Sequence, residues 1–88
     1  SLFLPAIYNV GICYTSKAIQ LSDKHKEDKD KAQIDSINTL LEEGKGYLER
    51  AKELDPARHT VDWAPPLYQI YYALNDKRAE NIKKLIKY

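Results

Sequence analysis

The sequences IYNVGICY at residues 7–14 and GKGYLERAKELDP at residues 44–56 decide the fold of this chain. In both, apolar or small residues recur three and four positions apart, a spacing that puts them on one face of an α-helix. Small residues stand at Gly11 in the first stretch and at Gly44 and Ala51 in the second. Small residues let two helix backbones approach closely while larger side chains fill the gaps beside them. We therefore expect two helices that pack together through these positions.

The two apolar stripes extend beyond these stretches. The first helix begins near Pro5, because a proline is tolerated in the first helical turn. The second helix ends at Asp55-Pro56, since proline disfavours a helical conformation in the residue before it. The first stripe consists of Ile7, Val10, Gly11, Tyr14, Ala18 and Leu21. The second stripe consists of Ile34, Ile37, Leu40, Leu41, Gly44, Leu48, Ala51 and Leu54.

Between the two helices, residues 23–31 form a charged segment in which acidic residues and lysines balance. No Gly or Pro occurs from Ile12 to Glu43, so no strong helix breaker marks the turn. We place the turn near residues 27–31, with Asp28 or Asp30 as the N-cap of the second helix. The alternative is one continuous helix. It is disfavoured because both apolar stripes would then lack a partner over much of their length.

The C-terminal part of the chain predicts a second, shorter helical hairpin. Pro65-Pro66 fits the first turn of a third helix, which Thr60 or Asp62 could cap, and Asn75-Asp76 predicts a turn. Trp63 is expected to cover the end of the second helix, with a partner anchor as the alternative. The inward positions of the third and fourth helices are Leu67, Ile70, Tyr71 and Leu74, and then Ala79, Ile82, Leu85 and Ile86.

These elements predict one all-α domain of antiparallel helical hairpins. Its first hairpin covers about residues 4–55 with a charged tip at about 23–31, a connector spans 56–65, and the second hairpin covers about 66–87. The net charge of +1 gives no case for nucleic-acid binding, and no apolar run is long enough for an integral membrane segment. Cys13 is expected to be a small buried hydrophobic residue, and the two histidines are isolated. We therefore expect no catalytic residue, metal site or cofactor.

The two opening stretches resemble the two helices of a tetratricopeptide (TPR) repeat. In that repeat a bulky residue, a Leu-Gly pair and an aromatic residue mark the first helix, and small residues, a large apolar residue and a closing proline mark the second. The corresponding residues here are Ile7, Val10, Gly11, Tyr14, Gly44, Leu48, Ala51 and Pro56. A weaker second unit begins at Leu67, with Ile70-Tyr71 in place of Leu-Gly and Ala79 as its next small residue.

The resemblance implies a right-handed TPR-like superhelix with an elongated first hairpin. A standard repeat has about 34 residues, whereas Ile7 and Leu67 are about 60 positions apart. Most of the excess falls between the first two helices, which lengthens each by about ten residues or ~15 Å. The missing Met and the early structured residues suggest a C-terminal fragment of a longer, bacterial-type TPR protein. Its compartment is therefore unknown, with a soluble protein of the cytoplasm or the periplasm both open.

The resemblance also implies a non-catalytic scaffold that binds a protein or peptide partner on the surface of the first helix of each hairpin. On that surface the expected groove residues are Tyr8, Ile12, Thr15, Tyr68, Tyr72 and Asn75. The alternative for these side chains is packing against neighbouring helices. The alternative function is that of capping hairpins in a longer repeat protein. In that case the apolar N-terminal residues Leu2, Phe3 and Leu4 would mediate self-association, so that the fragment could form a homo-oligomer.

Overall fold

The computed structural model describes residues 3–27 and 30–86, and these residues form four α-helices and no strand. The helices are α1 at Leu4–Lys24, α2 at Lys31–Leu54, α3 at Ala64–Ala73 and α4 at Arg78–Lys83. The protein is therefore all-α, as the sequence predicted. The first two helices have 21 and 24 residues, and α3 and α4 have 10 and 6. The predicted elongation of the first hairpin is confirmed.

The tip of the first hairpin is closed by side-chain hydrogen bonds. Asp30 is the N-cap of α2, and its carboxylate accepts a hydrogen bond of 2.8 Å from the backbone N–H of Gln33. The side chain of Gln33 accepts a return hydrogen bond of 3.1 Å from the Asp30 N–H, which completes a capping box. The Gln33 amide also lies 3.0 Å from Nδ1 of His25, which follows α1. Asp30 is thus confirmed as the cap, while Asp28 lies outside the described residues.

Two glycines lie in the close contact between α1 and α2. A Cβ atom on Gly11 would lie 2.8 Å from Cγ of Leu48, and a Cβ on Gly44 would lie 3.3 Å from the carbonyl oxygen of Gly11. No larger residue fits at Gly11 unless its neighbours move. Gly44 also faces the second hairpin, because its Cβ position is 3.3 Å from Cδ1 of Ile70 on α3. The buried residues of the two helices are Leu4, Gly11, Thr15 and Ala18, and Ile37, Leu41, Gly44, Leu48 and Ala51.

Four residues assigned to inward positions are in fact exposed. Val10 is turned by about 100° from Gly11, so it lies at the edge of the contact and is 37% exposed. Ile34 and Leu54 lie in the first and last turns of α2, and Leu85 follows the end of α4. At these ends no second helix covers the side chain completely. The positions that α1 actually buries include Leu4 and Thr15, which the predicted stripe omitted.

The connector after α2 is organised by Asp55. Its carboxylate accepts hydrogen bonds from the backbone N–H groups of residues 59–61, at 2.9–3.0 Å. Its carbonyl oxygen accepts a 2.7 Å hydrogen bond from Nε1 of Trp63. Trp63 is only 1% exposed, which confirms its predicted place over the end of α2. These bonds reverse the direction of the chain after α2, so that α3 can pack against α2.

The predicted caps of α3 are wrong. α3 begins at Ala64, with Trp63 as its N-cap residue and no side-chain capping bond. The backbone of Thr60 is engaged by Asp55, and the carboxylate of Asp62 lies 3.6 Å from Arg58 instead. The two prolines nevertheless occupy the first turn, where a backbone N–H is not needed.

Candidate functional site

The candidate site is the surface of α1 and α3, where sequence reasoning placed a peptide groove. Tyr8 and Ile12 lie one turn apart on α1, and both are half-buried. Tyr68 and Tyr72 lie one turn apart on α3, and their rings contact each other with centroids 6.0 Å apart at an angle of 39°. Tyr68 is half-buried against the core, whereas Tyr72 is 69% exposed. The structure thus brings the two tyrosines of α3 together.

Tyr8 lies within electrostatic reach of the connector. Partial burial, together with the negative charge of Asp62, raises the pKa of the Tyr8 phenol above its ordinary value. The phenol is therefore neutral at physiological pH and acts as a hydrogen-bonding group. Since Asp62 comes just before α3, Tyr8 lies near the start of the second hairpin.

The assignment of Thr15 to the groove is wrong. Thr15 is only 3% exposed, and its hydroxyl donates a 2.7 Å hydrogen bond to the carbonyl oxygen of Gly11. Its Oγ1 atom also lies 3.2 Å from the Cβ position of Gly44. Thr15 is therefore part of the contact between α1 and α2 within the first hairpin. Its position four residues after Gly11, on the same helical face, is the sequence signal that could have shown this.

Asn75 is exposed, but it has a structural role, because it ends α3. Its φ of 57° is left-handed, a conformation that Asn adopts more readily than most residues. The N–H of Asn75 donates to the carbonyl of Tyr72 and the N–H of Asp76 donates to that of Tyr71, at 3.1 and 2.8 Å. These two bonds are those of a Schellman motif. Asn75 thus ends the helix beside the candidate groove.

The TPR-like positions occupy different environments. Gly11, Gly44, Leu48 and Ala51 are buried in the helix contact. Ile7 and Tyr14 are half-buried, whereas Val10 and Pro56 are exposed. The ring of Tyr14 stacks on that of Tyr47, with centroids 5.9 Å apart and an angle of 15°. Tyr14 therefore belongs to an outward-facing aromatic pair as well as to the edge of the hairpin contact.

The prediction that Cys13 is buried is wrong, because its thiol is free and exposed. Two positions after Gly11, it is turned by about 200° from the helix contact, so its side chain lies on the solvent side of α1.

A second cluster, which the sequence reasoning missed, joins α2 to the second hairpin. The hydroxyl of Tyr71 donates a 2.5 Å hydrogen bond to Glu49, and Arg78 binds the same carboxylate at 3.0 Å. The guanidinium group of Arg78 also lies over the Tyr71 ring, 4.5 Å from its centroid, and pairs with Asp76 at 2.7 Å. Glu49 is 22 positions from Tyr71 and 29 from Arg78 in the chain, so no local pattern predicts its contact with them.

The electrostatics of this second cluster indicate a stabilising role. Hydrogen bonds from Arg78 lower the pKa of Asp76 to about 2, while burial and the bond to Glu49 raise the pKa of Tyr71. Each charged group thus has a partner of opposite charge. The arrangement holds α3 and α4 against α2, beside an open cavity of about 410 Å³.

Other kinds of site find no support in the part of the chain that the structure describes. Within residues 3–27 and 30–86, no three His, Cys, Asp or Glu side chains are grouped closely enough to bind a metal ion. In the same residues no helix combines the length and the apolar character needed to cross a bilayer.

Comparison with known proteins assigns this chain to no family, so its helical architecture is what describes it. No protein-family model matches it, and neither a curated protein nor a solved structure matches it. The fold and the site thus define an all-α protein of two unequal helical hairpins. Membership of the TPR family and the right-handed superhelix remain predictions.

Proposed function

We propose that the protein is a non-catalytic scaffold of TPR type that binds a protein or peptide segment on the surface of α1 and α3. The observation that supports this most directly is the ring pair of Tyr68 and Tyr72. Tyr72 exposes 69% of its surface although it lies in a helix whose opposite face is fully buried. A large aromatic side chain in such a position offers contact area that the fold itself does not use.

The geometry of the pair suits binding. Tyrosine combines an apolar ring with a polar hydroxyl and has few rotatable bonds, so a bound segment gains contact area at a low cost in side-chain entropy. Tyr68 packs against the core, so its ring is already ordered in the free protein and little side-chain entropy is lost there on binding. The ring of Tyr72 contacts that of Tyr68, with centroids 6.0 Å apart. Tyr8 and Ile12 extend the same kind of half-buried surface on α1.

A selection from a peptide library tests this proposal. The 88-residue chain is immobilised, a phage-displayed random peptide library is enriched on it, and the Kd of an enriched peptide is measured by fluorescence anisotropy. Tyr72→Ala should weaken binding by about tenfold or more, as expected for a central aromatic contact. Tyr68→Ala should weaken it as well, since Tyr68 positions the ring.

Tyr47→Ala provides the matched control, because Tyr47 is also a partly exposed tyrosine in a stacked pair, but on α2. Circular dichroism of each variant should match that of the parent. If the enriched peptides bind the Tyr72→Ala variant as tightly as the parent, or lose affinity with Tyr47→Ala only, the groove is not on α1 and α3.

The capping function is a second candidate. It is favoured by the exposure of Phe3, which is 75%, and of Val10, which is 37%, since a capping hairpin places one apolar face against its neighbours. Leu4 does not take part as predicted, because it is 4% exposed and belongs to the hydrophobic core. Leu2 lies outside the described residues. This candidate predicts that the chain as isolated associates through the first hairpin.

A further inference from the structure

The first hairpin has an outer face, formed by one side of α1 and of α2, that the second hairpin does not cover. Gly44 faces Ile70 of α3, and Gly46 is turned by about 200° from Gly44, so it points away from the second hairpin. A shallow groove of about 530 Å³ runs along this side. The groove is lined by Ile7, Glu42, Glu43, Gly46, Tyr47 and Arg50.

The outer face is apolar at its centre. Tyr47 is 37% exposed and its ring stacks on that of Tyr14, so the two rings form an aromatic pair on this face. Val10, one turn before Tyr14 on α1, is also 37% exposed, and Ile7 enters the groove. Adjacent exposed apolar side chains of this kind are characteristic of surfaces that pack against another protein.

No contact within the described part of the chain explains why residue 46 is a glycine. A Cβ atom at this position would have no heavy atom within 4 Å, and a glycine inside a helix costs about 0.5–1 kcal/mol relative to alanine. Gly11 and Gly44 differ, because both lie in close helix contacts. The missing side chain at Gly46 leaves space at the middle of the groove, where another backbone could approach.

The charged residues around Gly46 are arranged so that two copies of this face can pair opposite charges. Glu43 and Arg50 are two helical turns or ~10.5 Å apart, nearly symmetric about positions 46 and 47, and both line the groove. Glu43 forms no ion pair with any other described residue, and Arg50 pairs only with the exposed Glu53, at 3.1 Å. If two copies of α2 lie antiparallel across a two-fold axis near Gly46, Glu43 of each copy faces Arg50 of the other.

We propose that the outer face is a homodimer interface in which two copies of this chain pack α2 against α2 in antiparallel orientation. Such an interface is isologous, so each contact occurs twice. The tyrosine rings and Val10 supply the apolar centre, Gly46 permits close approach, and the two Glu43–Arg50 pairs fix the register. This surface is separate from Tyr68 and Tyr72, so the inference does not depend on the proposed peptide-binding function.

Charge reversal tests the symmetry directly. The parent chain, Glu43→Arg, Arg50→Glu and the double variant are compared by sedimentation equilibrium between about 1 µM and 1 mM, the range of weak and moderate interfaces. Each single variant places like charges opposite each other twice, which should weaken dimerisation on the order of tenfold. The double variant restores both pairs, so it should dimerise as the parent does.

Mixing the two single variants gives the sharpest result. One variant has arginine at both positions and the other has glutamate at both, so an equimolar mixture should form a heterodimer that is tighter than either homodimer. Circular dichroism controls for folding in each case. A parent chain that stays monomeric throughout the concentration range overturns the proposal, as does a mixture that associates no better than its components. Strict monomers would instead indicate that another protein or helix covers this face.

Gly46→Leu keeps the proposal testable if a charge variant does not fold. The added side chain has open space in the monomer, so the helix content should be retained, while the dimer should be lost. An undiminished dimer of this variant contradicts the close approach of α2 to α2. Binding of a peptide through Tyr72 should be unaffected by this change, so that failure of the dimer and failure of the peptide groove are distinguishable.

Discussion

The three glycines of this chain allow the same substitution to be tried in three environments, and we expect opposite results. Replacing glycine by alanine inside a helix contributes about 0.5–1 kcal/mol to stability when there is room for the methyl group. At Gly46 there is room, because no heavy atom lies within 4 Å of the new Cβ. Gly46→Ala should therefore stabilise the monomer by about 0.5–1 kcal/mol.

Gly11→Ala should destabilise the protein. The new Cβ would lie 2.8 Å from Cγ and 3.0 Å from Cδ2 of Leu48. Leu48 is completely buried, and its Cγ is too close to the backbone to swing away freely, so the helices must separate slightly. Overpacking of this kind costs about 1–3 kcal/mol. After subtraction of the gain in helix propensity, we expect a net loss of about 0.5–2 kcal/mol. Gly44→Ala, with closest distances of 3.2–3.3 Å, should fall between the other two.

Urea unfolding followed by circular dichroism measures these differences, at a low protein concentration where light scattering shows monomers. The difference between Gly11→Ala and Gly46→Ala isolates the packing cost, about 1–3 kcal/mol, because the propensity gain is common to both. In a Leu48→Ala background the cost of Gly11→Ala should largely disappear, since the crowded atoms are gone. A Gly11→Ala variant as stable as the parent would refute the close packing of α1 on α2.

Three further predictions concern the connector and the second cluster. Trp63→Phe removes the indole N–H that binds the Asp55 carbonyl, and we expect a loss of about 1–3 kcal/mol in urea unfolding; an unchanged midpoint would contradict this role. Backbone hydrogen bonds to the Asp55 carboxylate lower its pKa. The ionised carboxylate therefore stabilises the folded protein above the unfolded pKa of about 3.9, and this stabilisation is lost as the pH falls through the folded pKa. In thermal melts from pH 7 to 2, Asp55→Asn should therefore show a smaller decline of Tm below about pH 4 than the parent, whereas equal declines would argue against it. Tyr71→Phe should cost about 1–2 kcal/mol through loss of the bond to Glu49, and the exposed Tyr72→Phe serves as a control that should change little.

Much of the fold could be predicted from local signals. Gly11 and Gly44 indicated the helix contact, Asp30 was one of two proposed caps, and the proline pair marked the start of α3. The cap and the proline pair depend on residues within a turn or two of one another, and each glycine stands out within the apolar pattern of its own helix, so the sequence carries these signals directly. The extra length between the two TPR-like stretches likewise predicted the long first hairpin.

The errors arose at residues whose helical angle was overlooked and at contacts that only tertiary packing creates. Thr15 was assigned to the groove from the TPR resemblance, but it is buried, and its hydroxyl binds a carbonyl inside the same helix, which allows burial. Cys13 was assigned to the core because it is small and apolar, although its helical angle places it outside. The contact of Tyr71 with Glu49 and Arg78 joins three helices. Only the packing of the second hairpin on α2 brings these residues together.

The division of α1 between two surfaces follows from the position of its glycine. Gly11 faces α2. At about 100° per residue, the residues three before and one after Gly11 fall on one flank of α1, and those one before and three after it fall on the other. Tyr8 and Ile12 lie on one flank, whereas Val10 and Tyr14 lie on the other, where Tyr14 stacks on Tyr47. Each flank carries an aromatic residue that is only partly buried. The proposed peptide groove and the proposed dimer interface thus lie on separate flanks of one helix, and variants of Tyr72 and Gly46 can test them independently.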